Sequence, residues 1–257
     1  MGKGAMEINQ GRMERRNPGD TGVFNLFFDH VFVLSLPRRR DRLERFLAQW
    51  RERTGGEWKI EVAPGIDGRL TGCPDSWMPE PGMPEKERLG SWGCARAHLR
   101  IWEEAITRGW RNVLVFEDDC EFSLDFRNRL GAALARMPVR WDFLYLGGEL
   151  VDPVRHPPRI LNSCLLMPWK VNRTHAYAVN AGILPSAYRE CSWLPSRPAV
   201  GVPARERWHI DWRLGNVQTL PETATLAVFP WIARQRGGGS DIEQEQSGEV
   251  ENNTPIK

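Results

Sequence analysis

Apolar and polar positions follow two rhythms between about residue 30 and residue 230. Val31-Phe32-Val33-Leu34-Ser35-Leu36 and Val113-Leu114-Val115-Phe116 are short, nearly unbroken apolar runs, the pattern of strands buried on both faces. Between them, Pro37 opens a charged segment in which Leu43, Phe46, Leu47 and Trp50 recur at helical spacing. Trp58 to Ala63 alternates like a second strand. The Pro- and Gly-rich stretch from Pro64 to Gly90 is too long for an ordinary connection, and loops of that length usually cover or shape a site. A helix is predicted from Ser91 to Arg108, with Ser91 as N-cap and Gly109 as C-cap. A strand over 112–116, a helix over 123–136 and a strand over 143–146 ending in Gly147-Gly148 follow. Strands alternating with helices imply an α/β fold with a mainly parallel central sheet and helices on both faces.

The 112–116 strand runs without a spacer into Glu117-Asp118-Asp119. Crowded carboxylates repel unless a cation or hydrogen-bond donors hold them, and the C-terminal end of a strand is where α/β sheets bind ligands. Two carboxylates one residue apart can share a hard divalent cation and leave positions open for phosphate oxygens. On an extended strand Glu117 and Asp119 would share one face and Asp118 the other, unless the backbone turns there. The competing reading is a solvated acidic turn. Arg38, Arg39, Arg40 and Arg42 stand just after the first strand; four cations at a helix N-terminus oppose its dipole, and an anion nearby would relieve them.

Composition narrows the partners. Lys plus Arg total 35 against 33 for Asp plus Glu in 257 residues, so net charge gives no argument for nucleic acid or a membrane. Cys73, Cys94, Cys120, Cys164 and Cys191 are scattered, odd in number and without paired metal spacing, which favours a reduced, cytoplasmic setting. No segment approaches the roughly 20 apolar residues of a membrane span, and the N-terminus lacks a signal-peptide core. Residues 1–28 read as a flexible arm, 29–242 as one domain and 243–257 as a disordered acidic tail, with Gly237-Gly238-Gly239 as a hinge. The 12 tryptophans are many for this length. Trp92, Trp193, Trp208, Trp212 and Trp231 fall where an acceptor groove is expected, although core packing is the usual fate of any one of them.

Several motifs occur in a fixed order. Val31 to Leu36 is followed by Arg38, Arg39, Arg40, Asp41, Arg42 and Phe46; then come Ile66-Asp67-Gly68, the segment Gly90-Ser91-Trp92-Gly93-Cys94-Ala95-Arg96-Ala97-His98-Leu99, and the acidic triplet. Trp141-Asp142-Phe143-Leu144-Tyr145-Leu146-Gly147, Thr174-His175-Ala176-Tyr177-Ala178-Val179 and Ser240-Asp241-Ile242 complete the series. The set resembles glycosyltransferase family 25, which contains bacterial lipooligosaccharide galactosyltransferases and collagen galactosyltransferase domains. Ser35 stands where that family usually has Asn, and Ala97 where it has Ser.

The resemblance implies a GT-A, Rossmann-like fold and a metal-dependent, inverting transfer of a hexose, galactose foremost, from a UDP-sugar. The acceptor would be a hydroxyl on a glycan, a lipid-linked saccharide, lipopolysaccharide or a peptide, in the cytoplasm or at the inner face of a membrane. Asp119 would hold Mn²⁺ or Mg²⁺, with Glu117 second and Asp118 beside the diphosphate. Leu34, Ser35 and Leu36 would lie against uracil and ribose, Asp67 would serve the nucleoside, and Arg42 would grip phosphate. His98 falls beside the donor site in the family pattern, against an ordinary structural role for a helical histidine. Gly90 and Gly93 would allow close backbone approach.

Inversion needs a base opposite the leaving nucleotide. Asp211, in His209-Ile210-Asp211-Trp212, is a carboxylate flanked by large side chains near the family's acidic position; alternatively it caps a helix over 212–217. Asp241 is the second candidate, as base or as a metal or pyrophosphate contact from a closing loop. The competing function is a nucleotide-sugar or carbohydrate-binding protein of the same fold that has lost catalysis. A nucleotidyltransferase or phosphohydrolase would need a second ligand cluster or a phosphate-cradling glycine motif, and the sequence shows neither.

Overall fold

The computed structural model describes residues 21–77, 83–192 and 208–237. The elements run α1 (Thr21–Phe27), β1 (His30–Ser35), α2 (Arg40–Thr54), β2 (Glu61–Pro64), α3 (Gly68–Thr71), α4 (Glu85–Arg108), β3 (Asn112–Glu117), β4 (Cys120–Phe122) and α5 (Phe126–Leu134). They continue with β5 (Phe143–Tyr145), β6 (Glu149–Leu150), β7 (Arg159–Ile160), β8 (Leu165–Met167), β9 (Val171–Asn172), β10 (Ala176–Asn180), α6 (Leu184–Ser192), α7 (Ile210–Gln218), β11 (Thr225–Val228) and β12 (Ala233–Gln235).

Eight strands form the central sheet in the order β2-β1-β3-β10-β5-β11-β8-β7. Following the pairings across the sheet, six strands run in one direction and β10 and β8 oppose them. The α/β architecture read from the sequence stands. Period-two alternation sends the side chains of each strand to two cores. Val31 and Val33 of β1 and Leu114 and Phe116 of β3 face a core closed by α1, α2 and α5, whereas Phe32, Leu34, Val113 and Val115 face one closed by α4, α6 and α7. All four β3 side chains are fully buried.

Two boundaries differ from expectation. Part of the expected N-terminal arm is structured: α1 buries Phe24, whose ring stacks on Trp58 at 4.0 Å, so the packed chain begins before residue 29. Helix α4 starts six residues earlier than predicted, at Glu85 after Pro84. Proline suits a helix start, where its missing N–H is no loss, and Glu85 and Glu87 in the first turn complement the helix dipole. Ser91 is consequently buried inside the helix rather than capping it.

Candidate active site

The adjacent parallel strands β1 and β3, with Leu34 opposite Glu117 in register, end at one rim of the sheet. A cleft opens there, with about 800 Å³ of space that includes open solvent. Its walls come from Leu34–Leu36, the 65–69 segment, one side of α4 and Gln235 on β12. Gly93 lets α4 approach: a Cβ there would lie 2.2 Å from the Ile66 carbonyl oxygen.

The strand-parity expectation for the acidic triplet fails. Strand β3 ends at Glu117, and Asp118 and Asp119 form the turn into β4. The Asp118 N–H donates to the Leu34 carbonyl at 3.1 Å, the Glu117 N–H donates to the His175 carbonyl at 3.0 Å, and the Arg236 N–H donates to the Asp119 carbonyl at 2.8 Å. This turn brings all three carboxylates to the cleft wall.

Their surroundings differ. Asp118 Oδ2 accepts from the Ser35 hydroxyl at 2.7 Å, and Arg42 Nη1 lies 3.7 Å from Asp118 Oδ1 and 3.7 Å from Asp119 Oδ2. Asp119 Oδ2 also accepts from Gln235 Nε2 at 3.2 Å, whereas Asp119 Oδ1 is buried without a hydrogen-bond partner among the described residues. Burial, then the neighbouring Glu117 charge, pushes the Asp119 carboxyl up to about 7, against the pull of Gln235 and Arg42. Burial also raises Asp118. For Glu117, burial is outweighed by His98 and by the Thr174 hydroxyl, which donates to Oε1 at 2.7 Å, so its carboxyl lies below its ordinary value.

The other expected site residues divide into two groups. Leu34, Ser35, Leu36, Arg42, Asp67 and His98 all line the cleft. Asp67 is already engaged there: it caps α3 by accepting the Arg69 N–H at 3.1 Å, and it accepts from Arg69 and Arg38 side chains at 2.7 Å each. These contacts hold its carboxyl far below the usual range, Arg69 foremost. Asp211 lies outside the lining. Helix α7 begins at Ile210 with His209 at its cap position, so Asp211 sits in the first turn, accepting from the Trp212 N–H at 2.9 Å and the Arg173 N–H at 3.3 Å. Burial raises its carboxyl, and its field reaches Cys94 on the cleft wall. Asp241, Gly238, Gly239 and Trp193 fall outside the described residues.

Sequence reasoning missed Gln235 and the part of Thr174, Tyr177 and Trp102. No signal pointed to Gln235, which arrives through the pairing of β12 with β4, 116 positions from its partner Asp119. Of the tryptophans, Trp208 is buried and packs on the fully buried Trp77 at 5.4 Å, as does Trp92 at 5.0 Å. Trp212 lies under the Lys170 ammonium at 4.4 Å.

The molecule is a Rossmann-like α/β protein, with a mainly parallel sheet, an acidic turn after a central strand and a cleft beside that turn. The chain belongs to glycosyltransferase family 25: residues 28–161, just over half of its length, match the family described as "Glycosyltransferase family 25 (LPS biosynthesis protein)". It is 36% identical over 146 residues to human "Inactive glycosyltransferase 25 family member 3", covering 49% of this chain and 23% of that protein. It is 31% identical over 150 residues to zebrafish (Danio rerio) "Procollagen galactosyltransferase 1", covering 52% of this chain and 24% of that protein. The chain thus spans about a quarter of the length of these curated relatives. Among solved structures, mannose-1-phosphate geranyltransferase from Thermus thermophilus aligns over 77% of this chain and 73% of its own at 14% identity, with a TM-score of 0.38, too low to bear on function. Among the described residues, no helix is long and apolar enough to cross a membrane.

Proposed function

We propose that this chain transfers a hexose, galactose foremost, from a UDP-sugar to a hydroxyl acceptor with inversion, assisted by Mn²⁺ or Mg²⁺. The observation that carries the reading is Asp119. A buried carboxylate oxygen without a partner among the described residues, beside two further carboxylates on the cleft wall, fits a hard divalent cation. Asp119 and Glu117 would hold the ion, which when bound would offset the charge that develops on the departing diphosphate. Arg42, within 3.7 Å of Asp118 and Asp119, would bind a phosphate oxygen beside the ion that the carboxylates hold. Backbone and side chains of Leu34–Leu36 would receive the nucleoside.

In the transfer the acceptor oxygen forms the new bond to the sugar carbon as the bond to UDP breaks, and the acceptor proton passes to a base. Asp211, outside the cleft lining, is our assignment for that base, on its raised carboxyl and on the family's acidic residue at about this point in the chain. Reaching the acceptor would require the acceptor to enter between α4 and α7, or that wall to move. Asp241 remains the second candidate. The acceptor class, a lipid-linked or lipopolysaccharide saccharide or a hydroxylated peptide side chain, follows from the family description and from the names of the relatives.

A second reading has a specific observation behind it: the human relative at 36% identity is named inactive. On that reading the cleft binds nucleotide sugar without transferring it. A thermal-shift panel of UDP-, GDP- and CMP-sugars, with and without Mn²⁺, separates the possibilities. UDP-sugars that raise Tm only with Mn²⁺, together with UDP release, support transfer. Stabilisation without UDP release supports the binding protein, and no stabilisation by any donor removes both.

A further inference from the structure

Two motifs of the family pattern, one on α4 and one on β10, have no chemistry in the proposed transfer, yet they meet behind Glu117. Helix α4 buries Ser91, Ala95, His98, Trp102 and Ala105, successive steps of four and three residues that form one face. That face puts His98 and Trp102 against Tyr177 on β10, and all three side chains are shut off from solvent. The Trp102 indole N–H donates to the Tyr177 oxygen at 3.0 Å, and the same oxygen lies 2.9 Å from His98 Nδ1. On its other edge, His98 Nε2 makes no hydrogen bond, and its carboxylate neighbour is Glu117 Oε1 at 3.4 Å.

The protons in this chain have one consistent placement. Indole N–H can only donate. The Tyr177 oxygen therefore accepts from Trp102, and its own proton needs an acceptor; His98 Nδ1 is the one within reach. If Nδ1 instead carried a proton, two donors would point at the phenol and its own hydrogen would be left buried and unpaired, a costly arrangement. With Nδ1 accepting, the ring proton sits on Nε2 and faces Glu117. Oε1 of Glu117 already accepts from the Thr174 hydroxyl at 2.7 Å and is the oxygen 3.4 Å from Nε2, so Thr174 and His98 face the same oxygen.

We infer that Trp102, Tyr177 and His98 form a buried hydrogen-bond relay that fixes the Nε2–H tautomer of His98 and thereby orients Glu117, a positioning device rather than a ligand set. The inference also decides about Cys94, His98 and Glu117, whose ligand atoms lie within 4.8 Å of one another. A metal at that cluster needs a bare Nε2, and the Trp102–Tyr177 pair withholds it. The soft-ligand reading is thus excluded, and a divalent ion is left to the oxygens of Asp119 and Glu117. Only this last step rests on the proposed function; the tautomer does not.

The test reads the tautomer directly. Two-bond ¹H–¹⁵N spectra of the ligand-free, ¹⁵N-histidine-labelled protein at pH 8, with His98 assigned from the signal lost in His98→Gln, should show the Nε2–H form. Glu117→Ala should keep that form, because Trp102 and Tyr177 set it from behind, while Tyr177→Phe should weaken UDP in Mg²⁺ about fivefold, the loss of one hydrogen bond's worth of alignment. His98→Gln, which can keep an N–H toward Glu117, should retain more UDP affinity than His98→Leu. An Nδ1–H tautomer in the wild type overturns the relay, as does a switch away from Nε2–H in Glu117→Ala. Stoichiometric Zn²⁺ binding abolished by Cys94→Ser also overturns it. If UDP binds none of the proteins while the tautomers behave as stated, the relay stands and the donor assignment falls.

Discussion

Replacing Asp119 with asparagine should make the ligand-free protein more stable at pH 8. The carboxyl rises from 3.8 to about 7 on folding, because burial and the Glu117 charge both disfavour its ionised form. The folded state therefore holds this proton more tightly than the unfolded chain does, so the stability it contributes is complete below about 3.8 and is lost as pH rises through about 7. A shift of about 3 units at about 1.4 kcal/mol each gives about 4 kcal/mol as the upper cost of the ionised group in the empty site. That shift already contains the attraction of Arg42; water reaching the cleft mouth and relaxation of the site reduce the cost further, leaving a net gain for Asp119→Asn of about 2 kcal/mol. For a chain of this size that is a rise in Tm of about 4–8 °C. Differential scanning calorimetry of both proteins from pH 4 to pH 8 measures it, and the stability of the variant relative to the wild type should grow as pH rises over that range. Adding Mn²⁺ should then reverse the order at pH 8 by stabilising the wild type alone. A variant no more stable than wild type at pH 8, with the same pH slope, would refute the account of an energetically costly, cation-ready carboxylate.

Three further outcomes are expected. His175 is buried, and burial, against the pull of Glu117 and the Ala233 backbone, lowers its pKa from 6.5 to about 4; its stabilising contribution is complete above about 6.5 and lost as pH falls through about 4, about 3 kcal/mol in all. Urea unfolding of wild type and His175→Leu at pH 7 and pH 4 should show the gap between them narrow or reverse by that order, and a constant gap would contradict it. Arg42→Ala should weaken UDP and UDP-sugar alike by about 1.5–3 kcal/mol in calorimetry, the range of a charge-assisted bond, whereas equal affinities would return the arginine to a purely structural pairing with Asp118 and Asp119. Asp211→Asn should keep the fold and donor affinity while kcat falls by about 10²- to 10⁴-fold; normal turnover would remove Asp211 from the chemistry and make Asp241 the next residue to replace.

What could be read from the sequence, and what could not, follows from how local each signal is. The strands carrying the acidic triplet and the first apolar run were legible because consecutive buried residues leave no other reading, and their shared rim followed from parallel pairing. The start of α4 was not, because the prolines and glycines before Gly90 mask a helix whose first turn is marked only by Pro84, Glu85 and Glu87. The turn at Asp118 was also hidden: the sequence continues from apolar to acidic without a glycine or proline, and the bend is held by hydrogen bonds to Leu34 and Arg236, far away in the chain. The cleft residues from β1 and the triplet were found from motif order. Gln235 and the Trp102–Tyr177 contact were out of reach, since each joins residues at least 75 positions apart. The one local trace of the latter is a tryptophan one turn beyond His98 on the same helix face.

The central claim is metal-dependent handling of a UDP-sugar at Glu117–Asp119. Release of UDP from UDP-galactose, followed with Mn²⁺, with EDTA and with Asp119→Asn, tests it most directly. The account predicts UDP release in Mn²⁺ that EDTA abolishes and that the folded variant lacks. Equal release in all three samples, or none in Mn²⁺ from a folded wild type given any UDP-hexose and a hydroxyl acceptor, would contradict it.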